Sequence, residues 1–106
     1  MPRASTLPRT RERAMRAALS IVCEARQGVQ PWRMLTLTEL SARGFRVIWT
    51  APLNPRQALR LRIPGMAPLT AAIRWHRDDA LGCEFLTPLH VAVFEHIVRS
   101  DRRAVA

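Results

Sequence analysis

The sequence predicts a mainly β fold, a six-stranded antiparallel barrel followed by one C-terminal α-helix. The chain has 106 residues, which is enough for a single domain with one modest hydrophobic core. Six short runs alternate apolar and polar residues between turn signals, a pattern that is typical of antiparallel strands in a barrel. After Pro88 the apolar spacing changes from two residues to four, which indicates a helix.

The six predicted strands each place apolar side chains on one side. In chain order they are RAALSIVCEA, WRMLTLTEL, GFRVIWT, QALRLRI, LTAAIRWH and CEFL. Glycine, proline or aspartate marks the turns between them, as in RQGVQPW, APLNP, PGMAP and RDDALG. Trp49 and Trp75 could be stacking platforms for bases. They share the parity of the aliphatic residues in their strands, so we expect both indoles in the core.

The segment PLHVAVFEHIVRS predicts the helix. Leu89, Val93 and Ile97 lie four residues apart and form one apolar stripe. Thr87 is the expected N-cap and Pro88 the expected first helical residue, because proline is tolerated where no backbone donor is needed. We expect this helix to close the barrel.

The two ends of the chain differ in composition from the predicted barrel. Residues 1–16 contain two prolines and five arginines with almost no apolar pattern, which predicts a flexible arm. The predicted organisation is this arm, a barrel with its closing helix over residues 17–100, and a disordered tail over residues 101–106.

The charge balance predicts an anionic partner. Seventeen basic residues, all arginine, stand against eight acidic residues, so the net charge is +9. Arginine forks onto phosphates and guanine edges and stacks on planar rings. The partner could be a nucleotide, a nucleic acid or an acidic protein surface, and a solvated basic face without a specific partner is the alternative.

The sequence excludes several other classes of protein. No run approaches the ~20 apolar residues of a membrane span, and the first residues lack the apolar segment of a secretory signal, so we expect a cytoplasmic protein. Cys23 and Cys83 form no C-x-x-C pair, and we expect them to be small buried side chains. His90 and His96 are too far apart on a helix to act together as ligands. We therefore predict neither an enzyme nor a metal site.

The segment Glu39-Leu40-Ser41-Ala42-Arg43-Gly44, here called the ELSARG segment, interrupts two predicted strands. It combines a carboxylate, a hydroxyl and a glycine. The carboxylate of Glu39 can accept the N1–H and amino N–H groups of a guanine edge, or it can hold an arginine of the arm. Gly44 provides a backbone conformation or a close approach that a side chain would block. Residue types alone leave an ordinary turn and a ligand site equally open.

Taken together, these features resemble the PilZ domain family over residues 9–100. The family has an R-x-x-x-R pair in an arm before the first strand and a [D/N]-x-S-x-x-G motif at the end of the second strand. The ELSARG segment is similar to the second motif, and Arg9-Thr10-Arg11-Glu12-Arg13 is similar to the first. AAIRWHRDDALGCEF and PLHVAVFEHIV also resemble the later strands and closing helix of the family.

The resemblance implies a PilZ-like barrel that serves as a receptor for cyclic di-GMP. It assigns Arg9 and Arg13 to the phosphates and guanine faces of the ligand, and Ser41 to a guanine edge. Gly44 keeps the turn.

The sequence departs from the family pattern in two places. Glu39 stands where the family has aspartate or asparagine, which moves the carboxylate by about one carbon–carbon bond. If the second arginine of the pair must directly precede the strand, Arg16 takes that role, and Glu12 then occupies the first position, where it would repel phosphate.

Three functions follow as hypotheses. The first is a cyclic di-GMP-binding adaptor that orders its arginine arm around the ligand and signals to a partner protein, without a metal cofactor. The second is a degenerate module of the same fold that binds a protein and no nucleotide. The third is a small basic barrel that binds single-stranded nucleic acid. Most of its few aromatic residues have the parity of core positions, which argues against base stacking on the surface.

Overall fold

The computed structural model describes residues 16–101. The predicted arm apart from Arg16, and the predicted tail apart from Asp101, lie outside the described residues. The elements are β1 (Ala17–Gln27), β2 (Arg33–Leu40), β3 (Gly44–Ile48), β4 (Leu59–Arg62), β5 (Leu69–Arg77), β6 (Ala80–Phe85) and the helix α1 (Val91–Ser100).

The six strands close into an antiparallel barrel, which confirms the predicted fold class. Their order around the barrel is β1-β2-β3-β6-β5-β4, and β4 pairs with β1 to complete the ring. Each strand therefore has a hydrogen-bonded neighbour on both sides, and none of the six is an edge strand. Strands β3 and β6 form one wall of the barrel, and β4 and β1 form the opposite wall.

Alternating apolar residues fill the barrel interior, as the period of two predicts. The side chains at Leu37, Val47, Leu61 and Leu81 are completely buried. Trp49 is 3% exposed and belongs to the same core, so its expected position is confirmed. The other core members are Leu19, Cys23, Ala25, Leu40, Phe45, Leu59, Ile63, Ala71, Cys83, Phe85, Phe94 and Ile97.

A β-bulge in β5 turns Trp75 away from the core. Ile73 pairs with Cys83 of β6 and Trp75 pairs with Gly82, so three residues of β5 lie opposite two residues of β6. The extra residue shifts the alternation by one, so every later side chain of the strand changes face. Trp75 is 38% exposed, and the prediction that it packs in the core is wrong.

A second bulge sets the face of Glu39. Leu37 pairs with Val47 of β3 and Glu39 pairs with Arg46, so three residues of β2 lie opposite two residues of β3. Under strict alternation Glu39 would have the parity of Leu37 and point inward. The extra residue instead leaves Glu39 on the outer surface and sends Leu40, which is completely buried, into the core.

The helix begins later than predicted. Its N-cap is His90, whose Nδ1 accepts the N–H of Ala92 at 3.0 Å. The backbone N–H of Leu89 donates to the carbonyl of Ala42 at 2.7 Å, which holds this segment against the ELSARG segment and outside the helix. The expected cap at Thr87 is therefore wrong, and Leu89 of the predicted stripe lies before the helix. Val93 and Ile97 of that stripe do pack in or against the core.

The other end of the helix is fixed to the barrel. Asp101 is buried, and one oxygen of its carboxylate accepts the backbone N–H of Ser20 at 2.9 Å. The backbone N–H of Asp101 donates to the carbonyl of Val98 and completes the last turn. Both ends of α1 are thus hydrogen-bonded to neighbouring residues of the fold.

Candidate functional site

The ELSARG segment forms a tight loop that Ser41 closes. The Ser41 hydroxyl oxygen accepts the backbone N–H groups of Arg43 at 3.2 Å and Gly44 at 3.1 Å. The backbone N–H of Ser41 donates to the carbonyl of Gly44 at 2.9 Å, and its hydroxyl lies 3.4 Å from the same oxygen. A short hydroxyl side chain can hydrogen-bond to the backbone of its own loop in this way. The loop structure therefore accounts for a serine at this position.

Gly44 is required by a close approach of two strands. A Cβ at this position would overlap the backbone carbonyl oxygen of Cys83 in β6. Its neighbours in the loop are also anchored, because the Arg43 carbonyl accepts the N–H of Phe85 at 2.8 Å. The loop therefore lies firmly against β6, with the outer side chains of β2 and β3 beside it.

The strand register sets four residues in a row across the outer face of the barrel. Glu39 of β2 lies opposite Arg46 of β3, Arg46 lies opposite Gly82 of β6, and Gly82 lies opposite Trp75 of β5. Directly opposed residues share a face, so these positions are neighbours. A Cβ at Gly82 would overlap the Trp75 indole, which shows that the ring lies against the glycine.

The charged groups around this row form loose or exposed ion pairs. Glu39 Oε2 lies 3.9 Å from Arg46 Nη2, at the limit of an ion pair. Arg74 Nε donates to Glu84 Oε1 at 2.6 Å, with both side chains exposed. Ion pairs of this kind contribute little to stability because water competes for both partners. They can therefore exchange partners with a bound ligand at little cost.

These residues line one cleft with a volume of about 290 Å³. Four arginines and two glutamates lie around it, so the cleft is positively charged. Its lining consists of Arg16, Glu39, Ser41, Arg43, Gly44, Phe45, Arg46, Arg74, Trp75, Gly82, Cys83 and Glu84.

Comparison with known proteins identifies the family. The family model described as PilZ domain matches residues 9–100. The chain belongs to the PilZ domain family. No curated protein matches the chain. PilZ domains are generally receptor domains for cyclic di-GMP and act as ligand-binding adaptors.

In this PilZ domain, the cleft unites four of the six residues that the sequence suggests for ligand binding. Glu39, Ser41 and Gly44 line it together with Arg16, the first described residue. Arg9 and Arg13 lie outside the described residues. The role of all six in binding stays a prediction.

Sequence reasoning missed two arginines of the cleft and placed its tryptophan in the core. Arg46 and Arg74 come from strands whose outer faces carried no ligand motif, and Trp75 was expected in the core. The arginine–tryptophan pair of β5 was visible as a family feature. Its exposure depends on a bulge for which the sequence shows no glycine or proline within the strand.

Both cysteines of the PilZ domain lie in the barrel core. Cys23 and Cys83 are buried free thiols, and burial raises the pKa of each to about 12, with the Glu24 carboxylate adding to the shift at Cys23. Within residues 16–101, no group of three histidine, cysteine or acidic side chains could hold a metal ion. No helix in this range is long and apolar enough to cross a membrane.

Proposed function

We propose that this PilZ domain is a receptor for cyclic di-GMP that passes the signal to a partner protein. The observation that supports it is the positive cleft, in which Glu39 and Ser41 lie beside Arg16. Arg16 is where the arginine-rich residues of the N-terminus join β1. The remaining arginines of that segment are thereby tethered within a short length of chain from the cleft.

The ligand chemistry matches the side chains around the cleft. Arg9, Arg13 and Arg16 provide guanidinium groups that fork onto phosphate oxygens and stack on guanine rings. Glu39 accepts the two N–H groups of a guanine edge, for which the ligand must displace Arg46 from its 3.9 Å contact. Trp75 adds a flat indole surface on the other side of Arg46.

Binding then changes the surface that a partner meets. The arm orders around the bound nucleotide and, with it, forms a surface that is absent in the free protein. The domain acts as an adaptor and not as an enzyme, and the proposal places this signalling in the cytoplasm.

Titration calorimetry with cyclic di-GMP tests the proposal. Full-length protein at about tens of micromolar in low salt is expected to release or take up heat on binding, and a chain that starts at Ala17 is expected to give none. Glu39→Asp shortens the carboxylate to the length that the family uses and is expected to bind at least as tightly. Absence of binding by both the full-length protein and Glu39→Asp would refute the receptor function.

A second candidate function is a protein-interaction module that has lost nucleotide binding. It is favoured by the hydrogen bonds of Ser41, whose hydroxyl is already occupied by its own loop, and by the contact between Glu39 and Arg46. This candidate predicts that Arg13→Ala leaves capture of the partner unchanged. Loss of capture on that substitution would count against it.

A further inference from the structure

The outer face of β1 and β4 carries like charges in direct opposition. Arg26 of β1 lies opposite Arg60 of β4, and Glu24 lies opposite Arg62 on the same face. Facing arginines repel each other, so a strand pair gains nothing from this arrangement in the free protein. Among residues 16–101, no carboxylate forms an ion pair with Arg26 or Arg60. An anion placed between them would relieve the repulsion.

Trp32 lies against the same arginines. The guanidinium carbon of Arg26 is 4.6 Å from the centre of the indole, and that of Arg62 is 4.1 Å away. Arg62 is held in place by Glu24, whose Oε1 accepts its Nε and Nη2 at 2.9 and 2.7 Å. Arg26 Nε is buried and makes no hydrogen bond within the described structure. The indole therefore fixes two guanidinium groups, of which only one has a carboxylate partner.

An apolar cleft adjoins this cluster. It has a volume of about 590 Å³, and Glu24 and Arg62 form its polar border. Met34 is 74% exposed and Val22 is 51% exposed, and both line this one cleft, so they form a contiguous apolar patch. Met66 also lines the cleft. Exposed methionine and aliphatic groups beside arginine and tryptophan have the composition of a protein interface.

We propose that this surface, made of Arg26, Arg60, Arg62, Trp32, Met34 and Val22 and here called the Trp32 surface, docks an acidic segment of a partner protein. An apolar side chain of the partner enters the cleft at Met34, and flanking carboxylates bind Arg26 and Arg60. The closed barrel offers no edge strand among its six, so the partner binds through side chains and not by adding a strand.

The contacts of Trp32 favour a protein partner over a nucleic acid. Single-stranded nucleic acid binds largely by stacking bases on exposed aromatic faces. The Trp32 ring already contacts two guanidinium groups, and the exposed apolar side chains beside them are Met34 and Val22. Such groups pack against apolar side chains better than against phosphate and sugar.

The position of the Trp32 surface makes it independent of the nucleotide cleft. Its residues come from β1, β4 and the start of β2, whereas the cleft is lined from the end of β2 and from β3, β5 and β6, and the two have no residue in common. A partner can therefore stay docked whether or not the cleft is occupied. The inference goes beyond the proposed function, because it holds for the protein without nucleotide.

The experiment uses full-length ¹⁵N-labelled protein without nucleotide and two blocked peptides. One peptide has glutamates on both sides of a central Leu-Phe pair, and its twin has lysine in place of each glutamate. The acidic peptide is expected to shift the Trp32 indole N–H signal, assigned with Trp32→Phe, and the lysine twin is not. Arg60→Gln is expected to weaken binding about tenfold, because one partner of the carboxylates is lost.

Arg99→Gln is the matched control, because it also removes one exposed arginine but lies on α1. It is expected to leave the affinity unchanged. The thermal midpoint of Arg60→Gln is expected to stay constant or rise, because a like-charge pair is removed. Equal binding of the two peptides, no shift at Trp32, or equal loss in both variants would overturn the proposal. Tighter binding of a thymidine oligonucleotide at the Trp32 signal would assign the surface to nucleic acid instead.

Discussion

At the scale of single residues, Ser41 stabilises the ELSARG loop. Its hydroxyl accepts the N–H groups of Arg43 and Gly44. Ser41→Ala is therefore expected to lower the free energy of unfolding by about 1 kcal/mol, since two backbone donors lose their acceptor but stay near water. Urea unfolding measures the change. Ser41→Thr keeps the hydroxyl and is the control; an equal loss in Thr and Ala variants would show that the hydroxyl is not responsible.

The two thiols make stability depend on alkaline pH. Burial raises the pKa of Cys23 and Cys83 to about 12, above the value of 9.0 in an unfolded chain. Both states keep the thiols protonated below about pH 9, whereas above it the unfolded state loses protons first, so we expect stability to fall from about pH 9 towards pH 12.

Urea unfolding at a series of pH values checks this expectation. The variant Cys23→Ala, Cys83→Ala is the control: it is less stable at neutral pH because of the atoms removed from the core. Its decline above about pH 9 is expected to be shallower, because the thiol contribution is gone. A decline of the same steepness in both proteins would contradict the assignment to the thiols.

At the scale of elements, the bulge in β5 exposes Trp75, whereas Trp49, which has the same parity within its predicted strand, is buried. Trp49→Ala opens a cavity in the core and is expected to cost about 3–5 kcal/mol of folding free energy. Trp75→Ala removes a surface ring and is expected to cost about 1 kcal/mol, but to weaken cyclic di-GMP binding roughly tenfold. Thermal unfolding and calorimetry measure the two effects. Similar stability losses at both positions would contradict the exposed position of Trp75.

The start of α1 can be tested in the same way. His90→Ala removes the acceptor for the N–H of Ala92 and is expected to destabilise the protein by about 1 kcal/mol. Thr87→Ala, at the cap that the sequence suggested, is expected to cost less than about 0.5 kcal/mol. Circular dichroism during thermal unfolding compares the two variants. The reverse order of their midpoints would move the helix start back to Thr87.

The elements also show how far the sequence predicts this fold. Period-two alternation locates all six strands, because each strand has one face in the core. Alternation does not predict the bulges. A bulge arises from the way a strand pairs with its neighbour and not from the type of the extra residue. Strand β6 also begins at Ala80 and not at Cys83, because the turn needs only Asp78 and Asp79, with Asp78 at a positive φ of 55°.

The candidate site is less predictable than the fold. Glu39, Ser41 and Gly44 are found together because they are neighbours in the chain. Arg46 and Trp75 join them only through the strand order. Strand β6 pairs with β3 on one side and with β5 on the other, although β3 and β6 are far apart in the sequence. The residue pattern of one strand does not tell which strand lies beside it. These residues can therefore be assigned to the site only from the folded barrel.

At the scale of the whole molecule, the net charge of +9 favours anionic ligands, and the dependence of affinity on salt distinguishes a small nucleotide from a nucleic acid. Cyclic di-GMP has few phosphates, so its affinity is expected to fall less than about tenfold between 50 and 200 mM salt, against about a thousandfold for a nucleic acid with many phosphate contacts. Calorimetry over this range, with a thymidine oligonucleotide as comparison, measures both slopes. A steep slope for the oligonucleotide together with tight binding would favour the nucleic-acid hypothesis.

The hydrogen bond between Leu89 and Ala42 has a mechanical consequence. It joins Ala42, in the middle of the ELSARG segment, to the residue just before the helix cap, 47 positions later in the chain. On one side Ala42 therefore contacts the chain two residues before α1 begins, and on the other side the far end of the helix is held at Ser20 through Asp101. The helix is thus anchored on both sides, to the ELSARG segment through Leu89 and to β1 through Asp101, so its position depends on the position of that segment.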